Sequence, residues 1–389
     1  MTDPGLPQRS DADSKAVVAG NTAFALDLYQ QLCRQEGNLF FSPYSISTAL
    51  AMTYAGARGD TEAQMAQALH FGLGQDALHP AFAALQDRLN AVQAGGDVQL
   101  SVANALWPHV DCPFVDAFLD LVKVYYGVSL TTLDCSDPEA ARQHINAWAE
   151  EQTRGKIKDL IPKGILNVLT RLVLTNAIYF KGNWASQFDK ARTKDAPFTV
   201  QPGQQVTVPL MTQKLTCGYG EFPELQVLEL PYMGDGLSML VLLPRQVDGL
   251  ASLEAQLTPG TLAQWTARLR QSEVQIYLPR FRVEAAFRLD DALKALGMVD
   301  AFDMDLANFA GMDGTDLLSI SAVLHKSFVE VNEEGTEAAA ATAVVMTKRA
   351  MPLPQPVFRA DHPFLILIRE NSSGSVLFLG RVVDPRAET

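Results

Sequence analysis

Chemistry needs a reactive group with a partner in reach. The chain carries six histidines and four cysteines. The histidines are scattered, and no two stand at metal-ligand spacing. His325 lies in Ser319-Ile-Ser-Ala-Val-Leu-His-Lys-Ser-Phe328 with no activated serine beside it, so it reads as a structural histidine with satisfied hydrogen bonds. There is no GxSxG elbow, no HExxH pair, no GxxxxGK(S/T) loop and no GxGxxG turn. Cys33, Cys112, Cys135 and Cys217 are far apart and form no CxxC pair, so they read as free thiols or small core residues. No catalytic set, metal site or cofactor is expected.

The segment that does not suit a compact domain lies near the C-terminus. It runs Glu333-Glu334-Gly335-Thr336-Glu337, then Ala338-Ala339-Ala340-Ala341, then Thr342-Ala-Val-Val-Met346-Thr347-Lys348-Arg349-Ala350-Met351-Pro352. Alanine is the best helix former, which favours a helix. Period two gives another reading: Thr336, Ala338, Ala340, Thr342, Val344 and Met346 make one uncharged face, and Glu337, Ala339, Ala341, Ala343, Val345 and Thr347 make the other. Such a strand could enter the middle of a finished sheet without clashing. Periodicity alone leaves helix and latent strand open. Pro352, Pro354 and Pro356 then impose extended chain.

The elements that must hold this segment follow from the rest of the 389 residues. Hydrophobic residues make up 48% and charged residues 19%, an ordinary globular composition with neither a disordered bias nor a membrane-length apolar run. The net charge of -13 argues against nucleic acid or anionic membranes as partners. Residues 1–18 read as a disordered tail with no export signal, and 19–389 as one domain. The compartment stays open: cytoplasmic, or secreted if a signal lies upstream. Helical spacing predicts helices over Asn21–Cys33, Ser45–Tyr54, Thr61–Leu69 with Thr61 as N-cap, and Glu139–Gly155. Leu172–Phe180 is a continuous apolar run suited to a strand covered on both faces. Val227–Leu230, Leu237–Leu243, Val274–Leu278, Phe364–Ile368 and Val376–Leu379 are strand-like, the last two joined by a turn at Asn371–Gly374. Helices crowd the first half and strands the second, an α+β pattern.

Six stretches, in order, resemble the motifs of the serpin family. Asn38-Leu-Phe-Phe-Ser42-Pro43-Tyr-Ser45-Ile46 is similar to its NxFFSPxSI element, continuing through Met52–Thr61. Asn104-Ala-Leu-Trp107 resembles the start of a central strand, and Thr175-Asn176-Ala-Ile-Tyr-Phe180-Lys-Gly182-Asn-Trp184 resembles TNAIYFKGxW. His325-Lys326 with Val329–Ala338 resembles the run into the hinge, and Phe358–Phe364 with Phe378–Arg381 the C-terminal signature. The resemblance covers about residues 20–385. It implies three β-sheets, about nine helices and a reactive loop over about 333–356. It also implies a hinge at Glu333, Gly335, Thr336, Glu337, Ala338, Ala339, Ala340, Ala341 and Thr342. Ser42, Ser45, Asn176 and His325 would form a polar shutter behind the central sheet, and Trp184 would stand at the breach where the loop enters.

The resemblance further implies a suicide substrate. A serine protease attacks the loop, and the cut loop inserts as a new strand. The covalently attached enzyme is dragged about 46 Å, taking about fourteen residues at about 3.3 Å each. Counting from Glu333 and back from Phe358 sets the scissile bond at Arg349–Ala350, with Lys348 as the neighbouring alternative. An arginine bait implies a trypsin-like target held in a covalent 1:1 complex. Heat could drive one molecule's loop into another's sheet, so a monomer that polymerises on heating is expected. A heparin-type site is not evident, since Pro80–Gln93 holds only Arg88 and Asp87 as charges. The alternative is a non-inhibitory member of the same fold acting as carrier, chaperone or storage protein.

Overall fold

A computed structural model describes residues 10–128, 130–315, 318–336 and 355–386. The expected positions Glu337, Ala338 to Ala341, Thr342, Lys348, Arg349 and Ala350 lie outside the described residues. The first six helices are α1 (Asp11–Leu32), α2 (Pro43–Tyr54), α3 (Gly59–Ala68), α4 (Gln75–Gln93), α5 (Asp116–Tyr126) and α6 (Pro138–Gln152). Four shorter helices follow between Leu250 and Asp313.

Local chemistry explains the ends, and corrects several of those predicted. The first helix begins at Asp11, not Asn21, so residues 11–18 are helix and not tail. Ser10 caps it by accepting from the Asp13 N–H at 3.0 Å, Asp11 and Asp13 face the positive end of the dipole, and Ser14, Val17 and Val18 are buried. The next helix starts at Pro43, with Ser42 as its N-cap. Arg58, not Thr61, stands at the N-cap of α3; the Thr61 hydroxyl accepts from the Asn308 N–H at 2.9 Å instead. The sixth helix opens on Asp137 and Pro138 and closes at Gln152, three residues before Gly155, whose N–H reaches back to the Glu150 carbonyl at 2.7 Å.

The strands are β1 (Leu39–Phe41), β2 (Val98–Pro108), β3 (Leu172–Asn183), β4 (Lys194–Gln201), β5 (Gln204–Glu221), β6 (Leu225–Pro231), β7 (Leu237–Pro244), β8 (Arg270–Pro279), β9 (Phe281–Arg288), β10 (Ala322–Val331), β11 (Gly335–Thr336), β12 (Val357–Arg359), β13 (Phe364–Glu370) and β14 (Val376–Val382). They hydrogen-bond into two sheets, not three. One has five strands in the order β2-β3-β11-β10-β9. The other has nine, β1-β14-β13-β7-β6-β5-β8-β12 with β4 on β5. The long β5 passes from the β4 and β8 pairings to the β6 pairing, and so joins what would be two sheets into one. Asn104–Trp107 falls near the end of β2, not at its start.

Both faces of the five-stranded sheet are covered, which is why Leu172–Phe180 shows no alternation. Leu172, Leu174, Ile178 and Phe180 pack into the larger core, whereas Val173, Ala177 and Tyr179 pack with Trp107, Ile145 and Ala149 beneath α6. The central pair β3 and β10 runs parallel from Val173–Ala322 to Tyr179–Phe328. Beyond that point the two strands part.

Candidate functional site

The site begins where β3 and β10 separate. Gly335 and Thr336 fill the gap, pairing with Asn183 and Gly182 on one side while Thr336 pairs with Val331 on the other. Only glycine fits at 335: a Cβ there would lie 2.1 Å from the Gly182 carbonyl oxygen, and φ is +151°. Thr336 is fully buried, its hydroxyl 2.9 Å from that of Tyr232. Thr336 is the first residue of the uncharged face of the alternating segment. In the uncut chain it is already inside.

The approach to this gap is held by a dense set of contacts. Trp184 is buried and stacks on Tyr232 with ring centroids 4.7 Å apart. Its backbone N–H donates to the Glu334 carbonyl at 2.9 Å, and its indole N–H to the Asn332 carbonyl at 3.0 Å. Glu333 is buried, and its carboxylate accepts from Arg280 Nε at 2.8 Å and from the Thr193 hydroxyl. Burial pushes its pKa up, but the Arg280 and Thr193 hydrogen bonds outweigh that, and the group ends below the usual carboxylate range. Glu334 pairs with Lys190. The sequence reading missed Tyr232, Arg280 and Thr193. None belongs to a motif of the loop, and register alone brings them to it.

Lower in the sheet, the structure brings Ser42, Ser45, Asn176 and His325 together. Asn104, Asn176 and His325 form one row across β2, β3 and β10. His325 Nε2 accepts from the Ser42 N–H at 3.2 Å. The ring proton is therefore on Nδ1, which donates to the Asn176 side-chain oxygen. Asn176 donates to the Ser45 hydroxyl at 2.5 Å and to the Asn104 side-chain oxygen, and Ser45 in turn donates to Asn104 at 3.0 Å. The Ser42 hydroxyl donates to the Leu377 carbonyl at 2.6 Å and accepts from the Ser45 N–H at 3.2 Å. Burial alone drives the His325 pKa down to about 3, so the ring is neutral. Asn104 is the member not identified from sequence. The available signal was a polar side chain immediately before the apolar run Ala105-Leu106-Trp107 in β2.

This cluster has no nucleophile–base pair and no group set to accept a reaction's charge. Its one hydrogen bond between the central strands, His325 to Asn176, must break if they part. Among the described residues no group of three or more His, Cys, Asp or Glu is placed to hold a metal. No described helix is long and apolar enough to cross a membrane. All four cysteines are free, and burial raises each thiol pKa, that of Cys217 to about 12. Arg88, on α4, is ion-paired with Asp11 at 2.8 Å.

Comparison with known proteins agrees with this architecture. A family model described as Serpin (serine protease inhibitor) matches residues 19–385. The chain is 44% identical over 378 residues to human leukocyte elastase inhibitor, covering 94% of this chain and 99% of that protein. It is 43% identical over 378 residues to serpin B6 of Pongo abelii, covering 95% and 99%. Uncleaved ovalbumin superposes with a TM-score of 0.86 at 30% identity, covering 95% of this chain and 100% of that one. Serpin48 of the insect Tenebrio molitor gives 0.85 at 31% identity, covering 97% and 100%.

Proposed function

The chain belongs to the serpin family of serine protease inhibitors, and on that footing we propose that its loop offers Arg349 as bait to a trypsin-like protease. The chain is an inhibitor, not an enzyme; its target supplies the nucleophile. The protease serine attacks the Arg349 carbonyl, the Arg349–Ala350 bond breaks, and an acyl-enzyme results. The freed strand then lengthens β11 down the gap between β3 and β10, taking the protease with it.

The observation that carries this reading is the register of β11. Continued residue by residue from the Thr336–Gly182 and Thr336–Val331 pairs, Thr342 would fall opposite both Asn176 and His325, and Met346 opposite Leu172. Thr342 would then stand between the two side chains whose hydrogen bond must break, with a hydroxyl able to replace it. Thr336 fixes the faces. Ala338, Ala340, Thr342, Val344 and Met346 would meet the larger core, and Ala339, Ala341 and Ala343 the α6 side. Hinge, shutter and breach are thus successive stations of one strand.

A second target class has its own support. Leukocyte elastase inhibitor is the name of a relative at 44% identity. An elastase-type pocket is small, and Val344 or Val345 would fit it. Incubation with trypsin and with leukocyte elastase, followed by mass analysis of the SDS-stable complex and released peptide, decides between them. We expect release of a peptide starting at Ala350 with trypsin, and loss of trypsin trapping in Arg349→Leu. Equal trapping of trypsin by Arg349→Leu would reject Arg349 and turn attention to Lys348. A cut on either side without any covalent complex would favour the non-inhibitory reading.

A further inference from the structure

We propose that the cavity where the end of α2 meets α4 and α5 is a binding site for a small phenolic acid. The cavity measures about 390 Å³, within the range of ligand pockets. None of its lining residues belongs to β3, β10 or β11. Pro80, Phe118, Leu121 and Tyr125 give it apolar walls.

His79 supplies the floor. It is 1% exposed, and its Nε2 has no hydrogen-bond partner. The other ring nitrogen, Nδ1, lies 2.7 Å from the Tyr126 hydroxyl. Tyr126 stands outside the lining whereas His79 belongs to it, so the ring edge turned away from Tyr126 faces the cavity. The Tyr126 hydroxyl is buried, and Nδ1 is the one acceptor it reaches among the described residues, so it donates there. Burial lowers the His79 pKa to about 4 and leaves the ring neutral, so Nε2 carries the proton. A buried N–H without an acceptor is costly, and a ligand oxygen would relieve it. The same helix adds an acceptor. Pro80 has no N–H to return to the Asp76 carbonyl, so α4 leaves that oxygen out of its ladder, and Asp76 also lines the cavity. One hydroxyl can accept from Nε2 and donate to this carbonyl.

Arg58 stands at the exposed mouth. Its Nη1 donates to the Ala55 and Ala57 carbonyls at 3.0 and 2.6 Å, and a Cβ at Gly311 would lie 2.4 Å from its guanidinium carbon. Glu62 is engaged by Gln75 at 2.9 Å, and among the described residues no carboxylate pairs with Arg58. A fixed, unpaired guanidinium suits a carboxylate. A hydroxyl at the floor, an aromatic body between the walls and a carboxylate at the mouth describe a hydroxyphenyl-alkanoic acid.

The test is titration calorimetry of the full uncut chain with para-hydroxyphenylpropionate, for which one-to-one binding is expected. Phenylpropionate, which lacks the hydroxyl, and para-propylphenol, which lacks the carboxylate, should each bind roughly tenfold more weakly, the scale of one hydrogen bond to a charged or buried partner. Arg58→Gln should bind the acid no better than the parent binds propylphenol. Ala117→Trp fills the mouth from an exposed position on α5, and should melt like the parent yet bind none of the three. His79→Phe should erase the preference for the hydroxyl; if it fails to fold, the probe series and Ala117→Trp still decide. No binding of any probe would mean that the cavity holds water alone, and would overturn the proposal. Equal binding of all three probes, or undiminished binding in Ala117→Trp, would overturn it too.

Discussion

Thr336→Arg separates the state the structure shows from the state the mechanism requires. In the uncut chain Thr336 is fully buried between β3 and β10, bonded to Tyr232. The nearby acids Glu333 and Glu334 are already committed to Arg280 and Lys190, so a guanidinium at 336 would find no free carboxylate. The uncut chain has an escape: two residues can leave the sheet. That loses the Tyr232 partner and a short pairing, about 1–3 kcal/mol. The inserted strand has no such escape, because residue 336 must stay in place for those after it to pair. An unpaired charge there costs about 3–5 kcal/mol, or a factor of about 100 to several thousand at 1.4 kcal/mol per decade. If insertion slows by even part of that factor while deacylation does not, hydrolysis overtakes trapping. Thr336→Arg should therefore fold, be cut after Arg349 by trypsin, and run on SDS gels as cleaved protein with little complex. Glu337→Arg adds the same residue one position on, toward the opposite face, and should trap nearly as well as the parent. Full trapping by Thr336→Arg would refute insertion through this gap, and equal loss in both variants would refute the assignment of faces.

Nicking between 336 and 349 with a non-target protease should raise the melting temperature, since the freed strand completes a sheet; an unchanged or lower transition would count against it. Acid should weaken the uncut fold through His325. Its folded pKa, about 3, lies below the unfolded value near 6.5, so the unfolded chain binds more protons in that window. The contribution is complete above pH 6.5 and is lost as pH falls toward 3, about 3 kcal/mol of it between pH 7 and 4.5. Urea melts at those two pH values should show a smaller difference in His325→Gln than in the parent. Some slope should remain, because buried His79 is also lowered, to about 4. Identical slopes in the two proteins would show that His325 stays unperturbed.

What could be read in the sequence divides by range. Ser42-Pro43 before an apolar run announces a helix start. A run without alternation announces a strand covered on both sides, and both are local signals. The alternation of Thr336 through Met346 described two faces of a strand but not which sheet would receive them. That depends on pairing Gly335 with Asn183, a contact across 152 residues that no local pattern encodes. The error at α1 has the opposite cause. Ser10, Asp11 and Asp13 are good start signals, but the turns they open bury only Ser14, Val17 and Val18 against the rest of the chain, too sparse an apolar stripe to be recognised alone. Asn104 was passed over because its partners, Ser45 and Asn176, lie 59 and 72 residues away.

One sheet therefore carries two opposed demands. To stay closed in the uncut chain, β3 and β10 need bonds across their seam, and the seam has them: the parallel pairing from Val173 to Tyr179, the His325–Asn176 hydrogen bond, and at the far end Ser321, whose N–H donates to the Leu172 carbonyl and whose hydroxyl accepts from the Arg171 N–H, each at 2.9 Å. To open on demand, the seam must not be locked by interlocked bulk. Its polar row answers that, since hydrogen bonds exchange partners without the cavity penalty of parting two apolar side chains. The wedge at Gly335–Thr336 keeps the upper end apart, so opening need only travel from there and need not nucleate within the sheet. A leucine at Asn176 or His325 would strengthen the closed sheet and bar the strand that follows. On this reading the buried polar row is kept for the transition it permits, at the expense of the stability an apolar row would add.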